Sequence, residues 1–215
     1  MINEAEGVLA IWNDVRDGRA AEFEFWYNNE HFPERLAVPG FRLGRRYEAI
    51  VGGPRYFCFY LADTTGALTS PAYMERLNNP TRLTRSIMTQ AFANMIRTVC
   101  RRSVCFGRLW GAVCVTARLN HLVDRSRVLP LLEQLAAEDG IAHCELWTAQ
   151  ENGGMAAVEE RLRGGDRKIA ACIVVDTLRP SDAERVHSVL LQEFGATAET
   201  GVYQLLCEIT RATEA

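Results

Sequence analysis

No apolar run in this 215-residue chain approaches the ~18–20 residues that cross a bilayer as a helix. Residues 1–7 carry acids where a secretory leader has a basic segment followed by an apolar one. These two lacks predict a cytoplasmic protein with no membrane partner. Excess positive charge is also missing. Lys and Arg number 24 against 27 Asp and Glu, a net charge of −3, so nucleic acid is not an expected partner. Lysine itself is almost absent, Lys168 standing alone among the basic residues, and no function is read from that. The four histidines (31, 121, 143 and 187) have no HxH, HxxxH or HExxH spacing, which predicts no metal site. The seven cysteines are odd in number and include no CxxC pair. Most lie in apolar, β-rich stretches and read as buried reduced thiols. Disorder is excluded because 48% of the chain is apolar.

What is present is a regular exchange of strand-like and helix-like segments. Gly7–Val15 is short, apolar and β-branched and reads as a strand. Residues 19–32 carry Phe23, Trp26 and Tyr27 at helical spacing with glutamates between them. Pro33 lacks an N–H and clashes with a preceding turn, so it is expected to end or kink that helix, or to open a short turn over 33–36. After Pro39-Gly40 come strands over 41–51 and 55–63, joined as a hairpin by Gly52-Gly53-Pro54. Residues 64–77 and 82–96 read as helices and 98–106 as a strand. The order βαββαβ is that of a ferredoxin-like unit. It returns further on, with strands over 110–119, Ile141–Ala149, 168–176 and 202–210 and helices over 126–138 and 182–194.

Matching landmarks test this repeat. Val8 corresponds to Gly111, Gly40 to Gly140 and Asp63 to Asp176, offsets of 103, 100 and 113. The jump falls in residues 150–167, which stand where the first half has its tight Gly52-Gly53-Pro54 turn. Within that segment Asn152-Gly153-Gly154 and Gly164-Gly165-Asp166 are loop signals without the strand–loop–helix setting of a phosphate cradle. The expected fold is α+β: two ferredoxin-like βαββαβ repeats, 1–106 and 107–215, with antiparallel sheets and helices on the outer faces. Two such sheets face to face can enclose an apolar cavity.

Chemistry-bearing side chains concentrate in residues 25–47. On a helix Tyr27 and His31 are i,i+4 neighbours and Asn28 lies three residues before His31, which groups a phenol, an amide and an imidazole. An imidazole, with a reference pKa of roughly 6.5, takes or gives a proton near neutrality. Arg35, Arg45 and Arg46 can polarise a carbonyl or bind a carboxylate. Each group has a plainer reading. Phe23 and Trp26 fit a core. Tyr27 is either core or pocket wall, and His31 either a functional group or a donor favoured by a helix C-terminus. Glu30, Glu34 and Arg35 fit a solvated face. Arg45 and Arg46 are strand neighbours facing opposite ways, so at most one enters a cavity. Asn13 and Asp14 also face opposite ways. Asp14 is either buried with an arginine partner or a strand-end turn residue. His121 and Asp124 read as a helix entry, and His143 and His187 have no companions in the pattern.

The run WYNNEHFPERLAVPGF (residues 26–41), followed by RRY at 45–47, resembles the EthD-like branch of the dimeric α+β barrel superfamily. The close likeness spans about residues 13–60 and the architectural likeness the whole chain, here as a tandem repeat. That resemblance implies a dimeric-α/β-barrel-type architecture with a cavity in which His31 is the acid/base. The superfamily includes small monooxygenases, muconolactone-type isomerases, polyketide cyclases and haem enzymes. The implied function is a small-molecule enzyme moving a proton on an apolar or aromatic carbonyl or polyketide-like compound, as an isomerase, cyclase or cofactor-free monooxygenase. His31, Tyr27 and Arg46 would be catalytic, with Arg46 on the developing oxyanion. Trp26, Asn28, Asn13, Asp14, Arg35 and Tyr47 would contact the substrate. No cofactor is expected, and the partners would be a small apolar molecule and a second copy in a homodimer, unless the repeat is its own pseudo-dimer. The rival readings are a non-catalytic ligand-binding or assembly module, and a haem protein using His187 or His143. The enzymatic reading requires that the His31 ring face a hollow large enough for a metabolite.

Overall fold

The computed structural model describes residues 6–150 and 156–211. Its eight strands are β1 (Gly7–Val15), β2 (Phe41–Gly52), β3 (Tyr56–Ala62), β4 (Phe92–Gly107), β5 (Val113–Leu119), β6 (Ile141–Ala149), β7 (Ala171–Thr177) and β8 (Ala198–Thr210). They close into one antiparallel barrel in the order β1-β3-β2-β8-β5-β7-β6-β4. Closure leaves no unpaired sheet edge. Two seams, β2 with β8 and β4 with β6, join the first four strands to the last four.

Most strands are apolar almost throughout because both of their faces are covered. In β1, Val8, Ala10 and Trp12 point into the barrel, while Leu9 and Ile11 pack outward under helices. In β5, Cys114 points inward and Val113, Val115, Ala117 and Leu119 point outward. Alternation of side chains along a strand thus gives two buried faces rather than one buried and one wet. On one side the outer layer is α1 (Ala20–Trp26), a π-helical stretch Tyr27–His31, α2 (Phe32–Leu36), α3 (Pro71–Asn78) and α4 (Arg82–Gln90). On the other side it is α5 (Arg125–Ala136) and α7 (Pro180–Phe194). The short α6 (Val158–Leu162) lies in the segment expected to replace a turn, and it crosses over to pack on α3 and α4. The loop signal at 152–154 lies outside the described residues.

Several sequence expectations shift. Pro33 neither ends nor breaks its helix. It sits in the first turn of α2, directly after the π stretch, where the Phe32 N–H bonds to the Tyr27 carbonyl five residues back. That wider turn gives the proline ring the room an α-helical turn denies it. His31 is therefore inside a continuous helical run and not at its C-terminus. The helix expected over 82–96 stops at Gln90, because Phe92, Ala93 and Ile96 pair with Val15, Asp14 and Trp12 of β1. Over 64–77 a 3-10 turn, Thr65–Thr69, precedes α3, whose N-terminus is capped by the Ser70 hydroxyl. The barrel interior is not hollow. Trp12, Tyr47, Phe57, Phe59, Trp147 and Tyr203 fill it, with Trp12 stacked on Phe57 at 4.8 Å. Among the described residues no helix is long and apolar enough to cross a membrane.

Candidate functional site

The cavity beside His31 lies outside the barrel wall, between the sheet and the helices of the first half. Leu9 and Ile11 of β1 and Tyr60 of β3 form its floor. Tyr27, His31 and Arg35 come from the π stretch and α2, and Tyr73, Leu77 and Met88 from α3 and α4. Phe92, Met95 and Arg97 enter from β4, and Glu159 and Arg163 from α6 and the residue after it. The cavity left between these side chains is only about 20 Å³. That is room for one or two waters, far below the few hundred Å³ of a metabolite pocket. The metabolite-sized hollow that the enzymatic reading requires is therefore not open in this structure.

His31 is 6% exposed, and its Nδ1 has no hydrogen-bond partner among the described residues. Its ring lies 4.3 Å from that of Trp26 and 5.1 Å from that of Tyr27, centre to centre. Burial pushes its pKa well below 6.5, and the charges of Arg35, Arg163, Arg97 and Arg46 push the same way. The ring is therefore neutral at neutral pH, with a lone pair or an N–H free for a guest. Trp26 is fixed as its wall. Trp26 Nε1 donates to Thr84 Oγ1 at 2.9 Å, and that hydroxyl donates to Glu30 Oε1 at 2.7 Å. Glu30 is thus bound to α4 rather than being part of a solvated face. The Tyr27 hydroxyl lies 3.4 Å from that of Tyr60, and burial raises both pKa values, so both remain protonated donors.

Of the residues expected here, His31, Tyr27, Trp26 and Arg35 come together, and the others do not. Arg46 lies on the outer face of β2, but Glu24 holds its guanidinium through two bonds of 2.6 and 2.7 Å, and Asn28 Oδ1 accepts a third at 3.1 Å. Asn28 is exposed and faces Arg46 and not the imidazole, because the π stretch re-phases it relative to His31. Tyr47 points into the barrel. Asp14 is a strand-end clamp, accepting from the Arg55 N–H at 2.6 Å and from Asn94 Nδ2 at 2.7 Å. Asn13 donates to the Asp14 carbonyl at 3.1 Å. Neither Arg45 nor Arg46 enters the His31 cavity. The residues that pattern reading missed are Tyr60, Tyr73, Arg97, Glu159 and Arg163. The one available signal was Glu159 and Arg163 at i,i+4 in an otherwise unexplained insertion.

A second buried polar group sits inside the barrel. Arg45 Nη1 donates to Asp176 Oδ2 at 2.5 Å and Nη2 to the Gly111 carbonyl at 2.7 Å. His143 lies with Nε2 3.0 Å from Glu145 Oε1 and Nδ1 2.7 Å from the Leu109 carbonyl. Glu145 also pairs with Arg102 and accepts from Trp147 Nε1 at 2.5 Å. Burial alone would raise the Glu145 pKa, but His143 and Arg102 hold it at about 2. Burial likewise opposes protonation of His143, and Glu145 and Asp176 override it, so its pKa is raised. His143 therefore has companions that the pattern did not reveal. Its Nε2 faces Glu145 inside a barrel filled by aromatic rings, which leaves no space for haem there. His187 Nε2 lies 3.0 Å from Thr200 Oγ1 and does not face the His31 cavity. Neither residue fits the axial role in a haem site. Asp124 caps α5, accepting from the Ser126 N–H at 2.9 Å, as its position suggested.

This architecture, a closed eight-stranded antiparallel barrel with helices outside it, is a fold the chain shares with several solved structures. The chain superposes on a candidate monooxygenase from Fusobacterium nucleatum subsp. nucleatum ATCC 25586 with a TM-score of 0.62 and 8% identity, covering 100% of this chain and 98% of that one. An anthrone oxidase-like protein gives 0.63 at 9% identity over 99% and 95% of the two chains. A candidate chlorite dismutase gives 0.55 at 11% identity over 95% and 96%. No protein-family model matches the chain, and no curated protein matches it.

Proposed function

We propose that the protein is a small-molecule enzyme of the α+β barrel fold that moves a proton on an aromatic or polyketide-like carbonyl compound, with His31 as the acid/base. The observation that carries this reading is a buried, neutral imidazole whose Nδ1 has no partner among the described residues, beside a cavity lined by aromatic and guanidinium groups. His31 would take a proton from the carbon next to the carbonyl. Arg46 does not line this cavity, so the oxygen on which negative charge develops would be left to the two tyrosine hydroxyls. Tyr27 and Tyr60 would donate to the same oxygen, and Trp26 would hold the ring in place. Return of the proton elsewhere is isomerisation, and attack of the enolate on a second carbonyl is cyclisation. Reaction with O2 is the monooxygenase-type outcome, and the names of two of the superposed proteins favour that branch.

The first four strands lie in the order β2-β3-β1-β4 and the last four in the order β8-β5-β7-β6, which supports two ferredoxin-like halves, 1–106 and 107–215, acting as an intrachain pseudo-dimer. The WYNNEHFPERLAVPGF run supports the EthD-like branch. A cytoplasmic location and further pairing into a homodimer remain part of this proposal. The rival non-catalytic module is favoured by one observation, the space of about 20 Å³ at His31. Incubation with anthrone in D2O, read by mass spectrometry for deuteration and oxidation, separates the two. His31→Gln is expected to lower the rate by about 10²–10⁴-fold while the melting temperature stays within a few degrees. An equal rate in the variant removes His31 from the mechanism, and no reaction in either protein favours the module.

A further inference from the structure

The His31 cavity is mainly apolar, yet three guanidinium groups reach it. Arg163 is neutralised by Asp166 through contacts of 3.0 and 2.7 Å. Arg97 donates to the Tyr73 hydroxyl at 2.9 Å and has no carboxylate in ion-pair range among the described residues. Arg35 is 1% exposed and gives Nη2 to Glu159 Oε1 at 2.6 Å. Its Nη1 makes no hydrogen bond and lies 3.6 Å from Glu34 Oε2. Glu159 is 2% exposed and is the one carboxylate lining the cavity among the described residues. It arrives from α6, 124 positions along the chain from its partner.

Resting on the reading of this cavity as a ligand site, we propose that Arg35 is its anion subsite, that Glu159 fills that subsite in this structure, and that the ligand is an aromatic carboxylate which takes Glu159's place. A guanidinium fork matches a carboxylate through two parallel N–H···O bonds, and Arg35 uses only one of its two ends on Glu159. Exchange of one carboxylate for another keeps the buried charge of Arg35 compensated throughout. Release of Glu159 also unfastens α6 from α2, and outward movement of α6 opens the space that is now too small for a metabolite. The aromatic ring then packs on Ile11, Tyr60 and Phe92, and the carboxylate offsets the arginine charges that add to burial in keeping His31 a weak base.

Benzoate and the uncharged benzyl alcohol are the probes, used by calorimetry on the full-length wild type, Glu159→Gln, and the double variant Glu159→Gln/Arg35→Gln, with far-UV circular dichroism confirming that each is folded. Glu159→Gln is expected to bind benzoate at least tenfold more tightly than wild type. Benzyl alcohol should gain nothing, and the double variant should lose the gain. In wild type, benzoate is expected to speed hydrogen exchange of the α6 amides. Equal benzoate affinity in wild type and Glu159→Gln, no benzoate binding to either, or an equal gain for benzyl alcohol would each overturn the proposal in favour of Glu159 as a fastening for α6 alone. His31→Gln should retain benzoate binding. A benzoate gain with an unaltered His31→Gln rate leaves the anion subsite standing and removes the acid/base. The converse result removes only the subsite.

Discussion

Two histidines in this chain carry opposite electrostatics, and solution pH should separate them. His31 is buried among arginines, so the folded protein refuses a proton that the unfolded chain accepts near 6.5. Unfolding therefore takes up protons as pH falls below about 6.5, and the stability tied to a neutral His31 is lost in that direction. His143 sits between Glu145 and Asp176 and holds its proton more tightly than the unfolded chain does. Its contribution is complete below about 6.5 and is lost as pH rises through its folded pKa. Urea midpoints measured from pH 5 to 8 should lose the acid-side fall in His31→Gln and the alkaline-side fall in His143→Gln; an unchanged slope in either variant refutes its assignment. Sequence spacing did bring Tyr27 and His31 to adjacent positions, because i,i+4 neighbours stay close even through a π-helical turn. It could not choose between Arg45 and Arg46, since strand alternation says only that they face opposite ways. The choice rests on Glu24 and Asp176, which reach those arginines from 22 and 131 positions away.

At the scale of elements, the seat of α2 on the barrel depends on a missing side chain. A Cβ at Gly44 of β2 would come within 2.5 Å of the Phe32 ring and 3.1 Å of Tyr60. Phe32 lies next to His31 and Tyr60 forms the cavity floor, so Gly44→Ala must displace one of them. The expected cost is about 1–3 kcal/mol, as for other overpacked sites, and thermal unfolding reads it. Indole fluorescence should shift with it if the displaced ring moves Trp26, whereas wild-type stability in Gly44→Ala would mean that α2 is loosely seated. Strands Gly7–Val15 and Ile141–Ala149 end where their apolar patterns end. The end of α4 was not readable in that way. Residues 91–96 are compatible with a helix, and only the ladder to β1 draws them into β4. Similarly, α6 has no pattern of its own beyond Glu159 and Arg163, because it is held by contacts with α3 and α4.

For the whole molecule, the two seams β2–β8 and β4–β6 decide whether the halves can stand alone. Cutting between 106 and 107 exposes four strand edges and the aromatic filling of the barrel, and it removes Arg45 from Asp176 and Arg35 from Glu159. Residues 1–106 and 107–215 expressed separately should be unfolded or aggregated, and co-expression should restore a one-to-one complex with the circular dichroism of the intact chain. Two independently folded monomers would refute the pseudo-dimer reading. The amino-acid sequence by itself determined the α+β class, the strand order along the chain and the position of the WYNNEH cluster, because periodicity, Gly/Pro turns and helix spacing are local properties. Tertiary structure alone decided that the barrel is filled with aromatic rings, that the cavity lies outside its wall, and that Glu159 meets Arg35. Those outcomes depend on which faces meet when distant strands close a ring, and no local pattern carries that information.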